Sequence, residues 1–183
     1  MALVCGIDES GRGPVIGPMV MAGVLIDERD INKLKNIGVK DSKELTAKKR
    51  EELYKEIVKI VKDYKILIVS TKEIDNALNS DELNLNRLEA IKTALIINEL
   101  KPDKAILDCP SINPKSYVNY LKLFIKDKRL EIDAGHKYDS KFLEVGAASI
   151  LAKVTRDMQI KKIQSHIKEN IGSGYPSDPY TIK

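Results

Sequence analysis

Apolar positions change rhythm repeatedly along the chain, and each change marks an element. "ALVCGID" (residues 2–8) and "GPMVMAGVLID" (17–27) are short, dense apolar runs separated by glycine-rich sequence, which predicts two strands joined by a turn. "TAKKREELYKEIVKIVKDY" then spaces Leu53, Ile57, Ile60 and Val61 on one face, predicting a helix capped by Thr46. "KILIVS" (65–70) predicts a third strand. From about Asp81 to Leu100, Leu88, Ile91 and Leu95 fall in helical phase, and Pro102 stops the run. "KAILD" (104–108) predicts a fourth strand, "PKSYVNYLKLFIKDK" a third helix and "RLEIDAG" (129–135) a fifth strand. A long helix follows from about Lys141 to Lys168, with the small residues of "GAASILA" suited to close approach to a sheet. "GSGYPSDPYTIK" reads as a loop. A hairpin followed by strands alternating with helices predicts an α/β chain: one mixed five-stranded sheet flanked by helices.

Composition narrows the class. With 183 residues, 43% hydrophobic and 32% charged, the chain fits one domain over residues 1–183 with a real core. Its most apolar stretch, "VIGPMVMAGVLI", is too short and too broken by Gly17, Pro18 and Gly23 to span a membrane. The start "MALVC" lacks the basic residues of a secretory signal, so the expected location is the cytoplasm. Cys5 and Cys109 lack disulfide-framework or zinc-ligand spacing and read as buried thiols.

The formal charge of +4 permits a polyanionic partner without demanding one. Its distribution says more. "KLKNIGVKDSKELTAKKR" (33–50) sets Lys33, Lys35, Lys40, Lys43, Lys48, Lys49 and Arg50 against only Asp41 and Glu44. Most of such a run is a solvated face. Lys43, in a loop before a helix, is the candidate for a phosphate contact.

Acids mark the strand ends. Asp8 closes the first strand, Asp108 the fourth, and Asp139 follows the fifth, with Glu9 beside Asp8. Sites on open α/β sheets form beyond the carboxyl ends of neighbouring strands. If strands one, four and five are adjacent, these carboxylates converge. Consecutive strand residues face opposite ways, so the strand is expected to end or bulge between Asp8 and Glu9, helped by Ser10-Gly11-Arg12-Gly13-Pro14. Crowded carboxylates raise one another's pKa, and a hard divalent cation relieves that conflict. Oxygen donors without histidine or thiolate suit Mg²⁺ or Mn²⁺, and bound metal would let a phosphodiester sit among acids. Each acid alone also fits a turn or cap, and the coincidence at three strand ends is what points to metal.

Glycines on both sides of Arg12 expose backbone groups to a ligand, and a sugar hydroxyl, both donor and acceptor, suits such groups. Alone, the stretch also reads as a tight turn with a solvent-exposed arginine. Tyr175 fits either a loop aromatic or a stacking platform for a sugar or base. His136 fits a loop-orienting group, and His166 a solvated one.

"GIDESGRGPVIGPMV", "VKDSKEL", "ILDCP", "HKYDSKF", "AASILAKVTRD" and "GSGYPSDP" occur in the order found in type 2 ribonuclease H, and the chain most resembles archaeal ribonuclease HII. The resemblance implies a ribonuclease H-like fold with a C-terminal helical portion. It also implies metal-dependent endonucleolytic cleavage of RNA paired to DNA, and incision 5′ to ribonucleotides embedded in duplex DNA. The products would be a 3′-hydroxyl and a 5′-phosphate, with roles in ribonucleotide and RNA primer removal. By motif, Asp8, Glu9, Asp108 and Asp139 would be catalytic metal ligands for Mg²⁺ or Mn²⁺. Gly11, Arg12 and Gly13 would read the ribose 2′-hydroxyl, Tyr175 would pack on the sugar at the RNA–DNA junction, and Lys43 would touch phosphate.

The chain departs from the family pattern at Ser10, Tyr138, Leu143 and Gly146, where alanine, alanine, proline and serine are usual. Family members usually continue past "GSGYPSDP" as a helical tail, which is expected to be missing or very short here. A monomer is expected, with sliding-clamp association left open. Two rival readings remain at this stage: a hybrid-duplex binding module without catalysis, and a carboxylate-metal enzyme acting on small phosphate esters.

Overall fold

The computed structural model describes residues 2–39 and 42–182, so Lys40 and Asp41 of the basic run lie outside the described residues. Five strands form one sheet: β1 (Leu3–Ser10), β2 (Met19–Asp27), β3 (Asp63–Val69), β4 (Lys104–Asp108) and β5 (Glu131–Gly135). Their order is β3-β2-β1-β4-β5. β2 pairs antiparallel with β1 and β3, whereas β1, β4 and β5 run parallel, so their carboxyl ends share one edge. The adjacency on which convergence of the acids depended is therefore present.

Among the described residues seven α-helices flank the sheet: α1 (Ile31–Ile37), α2 (Ala47–Ile60), α3 (Thr71–Leu78), α4 (Leu85–Leu100), α5 (Pro114–Lys122), the single turn α6 (Tyr138–Lys141) and α7 (Leu143–Ile167). Strand alternation splits the core in two. Cys5, Ile7, Met19 and Met21 pack against α4 and α5, while Val20, Ala22, Val24 and Ile26 face α2 and α7. The closest approach is made by the strand: a Cβ at Gly6 would collide with the backbone of Glu144 and Val145, which lets the first turn of α7 lie directly on β1. Both thiols are buried.

Several boundaries differ from the sequence expectation, each for a physical reason. Thr46 caps α2 as expected, accepting from Lys49 N at 3.2 Å, but the helix ends at Ile60 because Asp63 and Tyr64 enter β3 opposite Leu25 and Val24. α4 begins at Leu85, where Asn84 caps it, and Leu95 points to solvent at 50% exposure. Its buried face instead carries Ala90, Thr93, Ala94 and Ile97. The predicted long helix is α7, which starts at Leu143, and the single turn α6 before it was not expected.

Helices α1 and α3 were not expected. The signal for α3 was present in Ser70-x-x-Glu73, a capping box: Ser70 Oγ accepts from Glu73 N, and the Glu73 carboxylate accepts from Ser70 N at 2.9 Å. Lys92 Nζ also donates to Glu73 at 2.6 Å, and these bonds hold its carboxyl near 2, below the ordinary 4.5. A folded-state value below the unfolded one stabilises above the unfolded value and is lost as pH falls. Glu73→Gln should therefore lower the melting temperature at pH 7 by a few degrees at most, as suits a half-exposed pair of under ~1 kcal/mol. The difference from wild type should shrink below pH 4.5 and vanish near pH 2 in thermal melts across pH.

Candidate active site

The shared edge of β1, β4 and β5 opens into a cleft of about 390 Å³. Asp8, Glu9, Asp108 and Asp139 all line it, although they come from β1, β4 and α6. The expected break in β1 is absent. The strand stays paired with β2 through Ser10, with Asp8 opposite Ala22 and Glu9 opposite Met21. The two acids thus leave opposite faces of the sheet, and both reach the cleft because it lies around the sheet's end. Asp8 leans to the α7 side, where Ser149 hydrogen-bonds it, and Glu9 to the side of Glu89.

Asp108 is fixed by α6: its Oδ1 accepts from Tyr138 N at 2.7 Å. The unusual Tyr138 leaves the cleft clear, since its hydroxyl donates to Asp133 at 3.0 Å and its ring covers Gly135 and Phe142. Asp139 is buried at 5% exposure, and Lys43 Nζ reaches its Oδ2 at 3.2 Å.

Packing acids here has an electrostatic consequence. Burial, then the charge of Asp108 and, less, Asp139, pushes Asp8 up to about 7. Burial and the neighbouring Asp8, Glu89 and Asp108 push Glu9 well above its ordinary value, and burial raises Asp108. A divalent cation bound among these acids would favour their ionised forms and relieve their mutual repulsion.

Gly11, Arg12 and Gly13 form the rim. Gly11 has φ +92°, and a Cβ there would lie 2.5 Å from Arg156 Nε and 2.7 Å from Pro18 O. Gly13 meets nothing within 4 Å, so its face is open to a ligand. Arg12 is exposed, as a turn arginine would be, yet it is anchored. Its Nε donates to both oxygens of Glu89 at 3.1 Å and its Nη2 to Asn86 at 2.6 Å, so α4 holds the loop by its side chain. Glu89 is fully buried, and burial raises its carboxyl to about 7 against the opposing pull of Arg12.

Tyr175 lines the cleft too, with Lys153 and Arg50. Of the basic run, Lys43 and Arg50 reach the cleft, while Lys33 and Lys49 pair with Asp30 and Glu52 on the surface. Arg50 donates to the carbonyls of Ser42 and Leu45, and buried Ser42 shares a 2.9 Å hydrogen bond with Ser149, so the turn carrying Lys43 is tied to α7. His136 lies outside the lining, its Nδ1 3.2 Å from Cys109 O, and His166 is exposed. Sequence reasoning gave no role to Glu89, Ser149, Lys153 or Arg156. Lys153 and Arg156 lie inside the motif "AASILAKVTRD", and Glu89 carried no signal except a charge on the buried side of a helix.

The description "Ribonuclease HII" belongs to the family model that matches residues 5–183. The chain belongs to the ribonuclease HII family. It is therefore an enzyme, a nuclease of the ribonuclease H class, whose members hydrolyse RNA in hybrid duplexes. Ribonuclease HII of Pyrococcus horikoshii is 47% identical over 180 residues, covering 97% of this chain and 79% of the relative. That of Methanococcus maripaludis strain C7 is 45% identical, covering 99% and 76%. The crystal structure of ribonuclease H2 from Pyrococcus horikoshii superposes with a TM-score of 0.88 at 45% identity, over 98% of this chain and 83% of that one. A PCNA:RNase HII complex from Archaeoglobus fulgidus gives 0.88 at 39% identity, over 98% and 85%. A ribonuclease HIII solved with Mn²⁺, 22% identical with a TM-score of 0.76, shares the fold.

Proposed function

We propose that this cleft cuts the RNA strand of RNA/DNA hybrids and incises 5′ to ribonucleotides embedded in duplex DNA, leaving a 3′-hydroxyl and a 5′-phosphate. The observation that carries the reading is that four acids from three distant parts of the sequence line one cleft beside the Gly11–Gly13 rim. Removal of ribonucleotides and RNA primers from DNA is the cellular role that this chemistry fits.

Asp8, Glu9, Asp108 and Asp139 would hold Mg²⁺ or Mn²⁺. The donor set fits, being all oxygen and already strained by burial and mutual repulsion. Among the described residues no group of three or more His, Cys, Asp and Glu side chains is arranged to hold an ion as it stands. Repulsion between uncompensated acids is a physical reason for that spacing. When bound, divalent ions would activate water and stabilise the departing 3′-oxygen.

The chain's own residues supply the rest. Open backbone at Gly13 would approach the ribose 2′-hydroxyl, with Gly11 and the Glu89-anchored Arg12 holding the loop in place. Tyr175 would pack on the sugar following the ribonucleotide. Lys43 would exchange Asp139 for phosphate once the acid is engaged, and Arg50 and Lys153 add positive charge along the backbone's path.

A labelled duplex bearing one ribonucleotide, incubated with Mg²⁺, Mn²⁺ or EDTA, tests this. Metal-dependent nicking 5′ to the ribonucleotide is expected. Tight binding without nicking would favour a binding module, and phosphatase activity without nicking would favour a small-ester enzyme. Glu89→Gln, which keeps shape but discards charge, should slow nicking roughly tenfold, the scale of one charge-assisted hydrogen bond, with the melting temperature held within a few degrees. The Archaeoglobus complex makes a sliding clamp the first protein partner to test, by co-elution in size-exclusion chromatography.

A further inference from the structure

Arg156 is a buried charge that the proposed reaction does not use. Arg156, midway along α7, is fully buried, and no carboxylate forms a salt bridge with it among the described residues. Burying an arginine is unfavourable unless its donors are met. Here two of them are met, each by a separate loop. Nη1 donates to the carbonyl of Ser173 and Nη2 to that of Ile16, each at 3.1 Å.

The guanidinium also lies 4.6 Å from the centroid of the Tyr175 ring, within range of a cation–π contact. Its Nε, buried without a hydrogen-bond partner, sits directly beneath Gly11. One planar group therefore touches the underside of the glycine rim, the β1–β2 loop at Ile16, and both the backbone and the aromatic ring of the segment around Tyr175. The same segments are clipped by backbone bonds as well, since Val15 N and Ile16 N both donate to Gly174 O.

We infer that Arg156 is a positioning residue for substrate recognition: it sets the spacing between the Gly11–Gly13 rim and the Tyr175 ring, and acts through Tyr175. This rests on the proposed roles of those two elements. The guanidinium suits the task because a rigid fork can bond two carbonyls while presenting a face to an aromatic ring. A lysine keeps the charge and loses the fork. None of the four carboxylates is among the groups that bond or charge-pair with Arg156, so ion binding should not depend on it.

The test is a double-mutant cycle of Arg156→Lys and Tyr175→Ala, with initial rates on a duplex bearing one ribonucleotide and saturating Mg²⁺. Arg156→Lys should lower kcat/KM roughly tenfold, as for one lost charge-assisted hydrogen bond. The double variant should be no more than about twofold slower than Tyr175→Ala alone, because the two act as a unit. The rise in melting temperature on adding Mn²⁺ should match wild type.

Multiplying losses, a wild-type rate for Arg156→Lys, or a missing Mn²⁺ response would each overturn the role of Arg156. A Tyr175→Ala enzyme as fast as wild type would sink the reading of Tyr175, and this inference with it. Should Arg156→Lys fail to fold, Gly174→Ala perturbs the same clip from the other side, its methyl falling 2.9 Å from Nη2 and 2.5 Å from Ile16 O. Its losses should likewise fail to multiply with those of Tyr175→Ala, and multiplication would overturn the inference.

Discussion

Replacing Asp8 with asparagine should leave the fold standing while cleavage falls on the order of a thousandfold or more. The side chain is nearly isosteric. Its oxygen can still accept from Glu9 N, as Asp8 Oδ1 does at 2.7 Å, and Ser149 can still bond it. What disappears is the charge at the centre of the acidic cluster. Asp108 and, less, Asp139 both disfavour the ionised form of Asp8. Two readouts separate the chemistry from the fold. Initial rates on a duplex bearing one ribonucleotide should collapse with either Mg²⁺ or Mn²⁺. In EDTA the variant should melt no lower than wild type, because one of several mutually repelling buried acids has gone. Added Mn²⁺ should raise the wild-type melting temperature and raise that of the variant much less. Full activity in Asp8→Asn would remove the foundation of the proposed mechanism.

The sheet and its acidic end were legible because both depend on short-range signals. Dense apolar runs ending in Asp8 and Asp108 placed the strands, and the parallel β1-β4-β5 order makes their carboxyl ends a common edge. Strand alternation does not keep Asp8 and Glu9 from one site, although β1 stays paired through Ser10. A cleft that wraps the end of a sheet accepts side chains from both faces. Helical phase groups Leu95 with Leu88 and Ile91, yet α4 buries a face rich in Ala90, Thr93 and Ala94 and leaves Leu95 in solvent. Small residues carry a weak periodic signal even where packing is closest.

The supports of the site were harder to see. Glu89 meets Arg12 across 77 residues of sequence, and Arg156 reaches Ile16 across 140. Such pairs exist only once the sheet has brought α4 and α7 to either side of β1. Charge inside a helix reads as surface until the partner is known. The chemistry of the site was therefore visible in its motifs, while the side chains that hold the motifs in place were not.

The two glycines beside Arg12 should separate cleanly under mutation. Gly11→Ala meets two obstacles at once: φ +92° is unfavourable for any residue with a Cβ, and the methyl would press on Arg156 Nε at 2.5 Å and Pro18 O at 2.7 Å. Neither neighbour can yield easily, because Arg156 is pinned by two carbonyls and Pro18 O is backbone. A loss of about 2–4 kcal/mol is expected, which for a chain of this size lowers the melting temperature by roughly 5–15 °C. Nicking should fall at least about a hundredfold, since a displaced rim misplaces the scissile group. Gly13→Ala meets no atom within 4 Å, so its melting temperature should stay within a degree or two of wild type. If Gly13 is bare so that backbone can approach a ribose, its methyl should still cut nicking by about tenfold or more, expressed mainly in KM. Thermal melts and initial rates on both variants decide the matter. A Gly13→Ala enzyme with wild-type KM would mean that substrate does not contact this face of the rim, whereas a folded Gly11→Ala enzyme with full activity would mean that the rim's shape does not matter.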